Sequence, residues 1–183
     1  SGCKTVRARK GPLEPSAVPH TEHTAQNLRL LSQIIHLDVK PANVLLDGEI
    51  DGDLEPRLSD FGSAKMLKQG CAGLKTTAGS AAFRAPEAWP QEPAGEVRTS
   101  ADLFSFAALL VCMARQHICP YEGHVSYKEL AAGVLDGDAR APSLPCDGHP
   151  WRSIVTSCTN LDAAERMLAS EAQKEIDVAA ATV

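Results

Sequence analysis

Residues 101–115 read ADLFSFAALLVCMAR, and Leu103, Phe104, Phe106, Leu109, Leu110, Val111 and Met113 fall on every face of a helix drawn through them. A helix that is apolar all round cannot lie on a surface; other elements have to pack around it. Ser100 stands where a side-chain cap would start it. The run is well short of the ~20 apolar residues that cross a bilayer, so protein must supply the burial. A chain of 183 residues can build one such core and is too short for two domains of ordinary size.

Ahead of this helix the pattern changes several times. Residues 1–24 hold Gly11-Pro12, Pro15 and Pro19 among basic and polar residues without a period, which reads as a tail or linker. The basic stretch Ser1–Lys10 has no apolar run behind it and is no secretory signal, and the missing initial methionine points to a piece of a longer chain or an incomplete gene prediction. Leu28, Leu31 and Ile35 recur at helical spacing and predict a short helix feeding a loop at His36. Val44-Leu45-Leu46 and Arg57-Leu58-Ser59 are strand-like runs separated by the turn signals Asp47-Gly48 and Asp51-Gly52, which predicts a small hairpin. From Asp60 to about Glu96 no amphipathic period survives, and loops of that length are usually functional. Beyond Pro120, helical segments are expected near 126–136, 151–158 and 163–176, the last opening on a capping box at Asp162 and Glu165.

Composition removes several function classes. A net charge of −5 gives no basic footprint for nucleic acid or for an anionic membrane surface. The six cysteines, at positions 3, 71, 112, 119, 146 and 158, form neither a Cys-x-x-Cys pair nor a regular framework, so a reduced, intracellular, cytoplasmic setting is expected. His20/His23 and His117/Cys119 lack a second pair at zinc spacing.

The chemistry concentrates in Ile35-His36-Leu37-Asp38-Val39-Lys40-Pro41-Ala42-Asn43-Val44-Leu45-Leu46. A carboxylate, a cation and an amide on one short loop before a strand can converge on one reacting centre. Phosphoryl transfer to a hydroxyl needs that set: a group for the hydroxyl proton, a cation near the moving phosphoryl and oxygen ligands for magnesium. The segment resembles the catalytic loop of eukaryotic protein kinases, His-Arg-Asp followed by Asn. Asp60-Phe61-Gly62 follows one predicted hairpin later, and Gly79-Ser80-Ala81-Ala82-Phe83-Arg84-Ala85-Pro86-Glu87 resembles the end of the kinase activation segment.

The resemblance, carried by residues 25–173, implies a mainly α (α+β) fold: a kinase-like C-lobe, a helical bundle with a small β-hairpin carrying the catalytic loop. Residues 174–183 would be a C-terminal extension. It implies Asp38 as base, Lys40 on the transferred phosphate, Asn43 and Asp60 as magnesium ligands, and Leu45 under the adenine of ATP. His36, Phe61 packed inward, Gly62 and Ser80 would support the site. Asp102 would hold the catalytic-loop backbone, and Arg166 would pair with Glu87. Lys40-Pro41-Ala42-Asn43 is of the serine/threonine rather than the tyrosine type, so a protein hydroxyl would be the substrate, with no nucleic-acid or membrane partner.

Departures from the family narrow these implications. Leu37 stands where an arginine usually receives the activation-loop phosphate, which removes the ordinary basis for control by loop phosphorylation; Leu37→Arg is expected to change basal activity only a few-fold. The glycine-rich loop, the lysine strand and the helix bearing its partner glutamate, all parts of the N-terminal lobe, are not in this sequence, so 1–183 alone is expected to be inactive. An active serine/threonine kinase completed elsewhere competes with a truncated kinase that only binds a partner, and with a fragment without a role of its own.

Overall fold

Helix α1, Ser100–Arg115, is the element around which the rest packs. Phe104, Ala107, Ala108 and Val111 are fully buried, and Ala101, Ser105, Leu109, Leu110 and Cys112 nearly so; Met113 reaches solvent. In this computed structural model the described residues are 34–49, 54–68, 70–90, 95–122, 126–136 and 141–180. The tail 1–24, the helix expected from Leu28 and Leu31, and the turn Asp51-Gly52 lie outside them. The cap expected from Ser100 does not form. Ser100 is the first helical residue, the N-cap position is Thr99, and neither closes a side-chain cap. The helix ends at Gln116, whose left-handed backbone (φ 51°) lets the His117 N–H return to Cys112 O at 3.0 Å.

Two small antiparallel sheets precede α1. Strand β1, Ile34–Ile35, pairs with β4, Lys65–Met66; Ile35, expected in a helix, is therefore extended, because its pairing partner lies thirty residues downstream and a local period cannot register it. Strand β2, Val44–Gly48, pairs with β3, Leu54–Leu58, running from Val44 opposite Leu58 to Gly48 opposite Leu54. A two-stranded ribbon is marginal by itself. This one is fastened at its base, where the Ser59 N–H and hydroxyl both donate to Asn43 O, at 2.8 and 2.9 Å.

Three helices follow: α2, Tyr127–Leu135, α3, Arg152–Cys158, and α4, Ala169–Ala180. Ser126 and Glu129 close a reciprocal capping box at α2: Glu129 accepts from the Ser126 N–H, and the Ser126 hydroxyl accepts from the Glu129 N–H. The box expected at Asp162 and Glu165 is absent. Asp162 instead accepts from the Ala164 N–H in a turn, and α4 starts only at Ala169, where Glu171 accepts from the Leu168 N–H. Arg166 explains the delay, since its side chain draws the 160–168 stretch inward, as described below.

The core has two main parts along α1. Its first half packs with Ile35, Leu37, Ala85, Ala88 and Val97. Its second half packs with Ile154, Val155 and Cys158 of α3 and Ala172 of α4. Burial pushes the Cys112 and Cys158 thiols up to about 11, so both are packing groups rather than nucleophiles.

Candidate active site

The loop between β1 and β2 is held from beneath by α1. Asp102 accepts from the His36 N–H at 2.7 Å and from the Leu37 N–H at 2.8 Å, one on each carboxylate oxygen. Burial raises the Asp102 carboxyl, and the two N–H bonds only partly offset it. Leu37 takes a left-handed backbone, φ 67°, a conformation costing a leucine about 1–2 kcal/mol; the Asp102 bonds and burial of its side chain hold it there. The His36 ring accepts from the Asp38 N–H at 3.3 Å through Nδ1, so Nε2 donates to Ser59 O at 3.1 Å. The loop at 36–43 and the hairpin are thereby tied to one imidazole.

At the loop's centre the Asp38 carboxylate is almost fully engaged. Oδ2 accepts from Lys40 Nζ at 2.8 Å and from Asn43 Nδ2 at 3.1 Å, and Oδ1 accepts from the Ser80 N–H at 2.9 Å. A carboxylate has about four acceptor positions, so one remains for a further donor. Lys40 also donates to Ser80 Oγ at 2.8 Å. Burial acts to raise the Asp38 carboxyl, but the bonds from Lys40, Ser80 and Asn43 together hold it below the ordinary 3.8. The result is a fixed, ionised carboxylate beside a fixed ammonium.

Gly79, which sequence reasoning passed over, makes the Ser80 contact possible. Its φ is +95°, and a Cβ there would lie 2.0 Å from Leu37 O. A glycine just ahead of a site residue was the available signal. Gly79→Ala is expected to cost at least ~2 kcal/mol through left-handed strain and backbone overlap, lowering Tm by roughly 5 °C; a melt within a degree of the parent would contradict this contact.

Both Asn43 N–H donors are spent on Asp38, at its main-chain oxygen (2.8 Å) and its carboxylate. That leaves the Asn43 side-chain carbonyl as a hard oxygen ligand. The Ser59 bonds to Asn43 O bring the next residue, Asp60, to the same end of the hairpin. Asp60 is left-handed (φ 60°), exposed, and accepts from the Gly62 N–H at 3.2 Å. Two oxygen donors with no sulfur or imidazole suit magnesium; among the described residues no group of three His, Cys, Asp or Glu forms a metal cluster. Phe61, expected to pack inward, is 59% exposed and stands edge-to-face with the His36 ring, centroids 4.8 Å apart. Leu45 is also exposed.

Farther from Asp38, Glu87 and Arg166 form a two-pronged pair at 2.7 and 2.8 Å. The guanidinium, with a side chain 0% exposed, also donates to Asn160 O and Ser100 O and lies 5.2 Å from the Phe104 ring centroid. It joins the 85–89 segment, the start of α1 and the turns before α4.

A loop carboxylate paired with lysine and asparagine, backed by an aspartate from a buried helix and followed by Asp-Phe-Gly, is the arrangement of phosphotransferases. The chain belongs to the protein kinase domain family, whose pattern it matches over residues 21–176; members of this family bind ATP and transfer its phosphate. It is 33% identical over 172 residues to the serine/threonine-protein kinase mos of Xenopus laevis, covering 86% of this chain and 46% of that protein. Similarity to the mos kinase of Patiria pectinifera is 34% over 145 residues, 75% of this chain and 39% of that protein. The dual specificity mitogen-activated protein kinase kinase hemipterous of Drosophila melanogaster is 38% identical over 139 residues, 73% of this chain and 11% of that protein. The chain thus spans less than half the length of each.

Proposed function

We propose that this chain is the catalytic-loop lobe, residues 25–173, of a protein serine/threonine kinase that transfers the γ-phosphate of ATP to a protein hydroxyl in the full-length molecule. The observation that carries the reading is the Asp38 carboxylate, held by Lys40, Asn43 and the Ser80 N–H with one acceptor position left. In that position Asp38 orients the incoming hydroxyl and takes its proton, while Lys40 offsets charge on the phosphoryl oxygens. Magnesium, bound with ATP, would neutralise the phosphates, and Asn43 and Asp60 are the residues to hold it. Leu45, exposed beside the loop, would floor the adenine. The apolar side chains left open on the hairpin side, Leu46, Leu54, Leu58, Phe61 and Met66, are what nucleotide and a complementary lobe would cover.

A kinase assay on the full-length protein with Mg-ATP tests this. Asp60→Asn is expected to raise the magnesium concentration for half-maximal rate by roughly tenfold or more, because a charged ligand becomes neutral. An unchanged magnesium dependence would remove Asp60 from the metal site. Absence of phosphoryl transfer under all conditions would favour the partner-binding reading, for which the same apolar side chains would serve as the contact surface.

A further inference from the structure

The Ser80 N–H that holds Asp38 belongs to the same peptide group as Gly79 O. A peptide is planar and trans, so its carbonyl and its N–H point in opposite directions and turn together. On one side the Ser80 N–H donates to Asp38 Oδ1 at 2.9 Å; on the other, Gly79 O accepts from Arg84 Nη2. One peptide is thus gripped between a carboxylate and a guanidinium. Gly79 makes the grip necessary. Its φ is +95°, and glycine restrains the rotation of a neighbouring peptide less than any other residue. A half-turn would aim Gly79 O toward Asp38 and withdraw the N–H.

Arg84 is fixed for this contact. Its own N–H donates to Ala81 O at 3.2 Å, and its carbonyl accepts from Trp89 Nε1 at 3.4 Å. The guanidinium carbon lies 5.0 Å from the centroid of the Trp89 ring, itself buried. Among the described residues Arg84 Nε is buried without a hydrogen-bond partner. A buried unpaired N–H is unfavourable, so the side chain holds this place against a cost, and the bond it gains there is the one to Gly79 O. Glu87, three positions on, is no alternative partner, because Arg166 takes both of its oxygens.

We propose that Arg84 is a positioning residue for Asp38: by fixing and polarising the Gly79–Ser80 peptide, it aims the Ser80 N–H at the carboxylate. This rests on the kinase reading above. Arg84 acts through the peptide and not on substrate. A cation on the carbonyl draws charge toward the oxygen and makes the N–H a better donor, so the two charge-assisted bonds reinforce each other across one peptide group.

The test is a double-mutant cycle on the full-length protein, with steady-state kinetics, melting and amide hydrogen exchange at Ser80. Arg84→Met keeps an apolar stem against Trp89 and removes the donor. It should lower kcat roughly 10–10²-fold, the scale of a misplaced reacting group, and speed Ser80 exchange about tenfold, with the KM for ATP within about threefold. Arg84→Lys returns a cationic donor and should recover most of both losses. In an Asp38→Asn background, where no base remains to be aimed, Arg84→Met should lower kcat further by no more than about threefold; a residue that only stabilises the fold gives the same factor in both backgrounds. Should Arg84→Met not fold, Arg84→Gln, whose shorter side chain falls short of Gly79, takes its place in every arm. Equal factors in the two backgrounds, unchanged Ser80 exchange in Arg84→Met, or an Arg84→Lys no better than Arg84→Met would each overturn the assignment. A protein inactive in every form, whose Ser80 exchange still speeds in Arg84→Met and recovers in Arg84→Lys, would keep Arg84 as the holder of the peptide and sink the kinase reading instead.

Discussion

Asp38→Asn in the full-length protein is expected to lower kcat by ~10²–10⁴ while the KM for ATP stays within about threefold. On the proposed assignment Asp38 serves the hydroxyl that is to be phosphorylated, whereas Asn43, Asp60 and Leu45 serve the nucleotide and its metal, so the two effects separate. Asparagine also cannot reproduce the native contacts. Donors approach both carboxylate oxygens, from Lys40 and Asn43 on one and the Ser80 N–H on the other, so an amide turns an N–H toward a donor whichever way it is flipped. The pH dependence provides a second check. Since the Asp38 carboxyl is held below the ordinary 3.8, it remains a carboxylate throughout the neutral and mildly acid range. The parent enzyme should therefore show no loss of kcat from Asp38 protonation until the pH falls through that lowered value, and an acid limb at higher pH belongs to another group. Steady-state kinetics across pH on parent and variant measure both. Near-normal turnover in Asp38→Asn would remove the base assignment and put the partner-binding reading first.

The largest stability effect is expected at the ion pair between Glu87 and Arg166. Glu87→Gln leaves a guanidinium with a fully buried side chain facing a neutral amide, and breaking a buried pair by removing one partner costs ~3–5 kcal/mol. For a chain of this size that lowers Tm by roughly 6–20 °C. Arg166→Met is expected to be milder than Arg166→Ala. Methionine refills the volume beside Phe104, although the Asn160 and Ser100 carbonyls and Glu87 lose their donor in both variants. Thermal denaturation of the three variants orders them. A fall of only a degree or two in Glu87→Gln would show that water or a neighbouring group compensates the charge.

Some of this was legible in the order of residues alone. Helix α1 follows from its composition, because a stretch apolar on every face has only one place to go. The hairpin followed from alternating strand and turn signals, which are local. The spacing of Asp38, Lys40 and Asn43 on one loop, with Asp60 beyond the hairpin, disclosed the family and the candidate site, since three side chains within six positions share one neighbourhood whatever surrounds them. Ser100 and Asp162–Glu165 carried cap-like signals that were not used, because a helix end is fixed by what the flanking chain must reach. In the second case that is the buried contact of Arg166 with a glutamate 79 positions away.

What tertiary structure decided has a common physical origin. Pairing of Ile34–Ile35 with Lys65–Met66, the left-handed turn that buries Leu37, the closeness of Gly79 to that turn, and the outward position of Phe61 all depend on segments remote in sequence coming together. Local propensity is worth tenths of a kcal/mol per residue. A buried leucine or a satisfied buried carboxylate is worth several times that, so where the two disagree the remote contact prevails. The sequence by itself therefore determined which groups are available for chemistry and which helix must be central. Only the packing of the 74–80 segment over the loop at 36–43 determined that Asp38 meets the Ser80 N–H, because that bond requires two backbones in contact at a glycine.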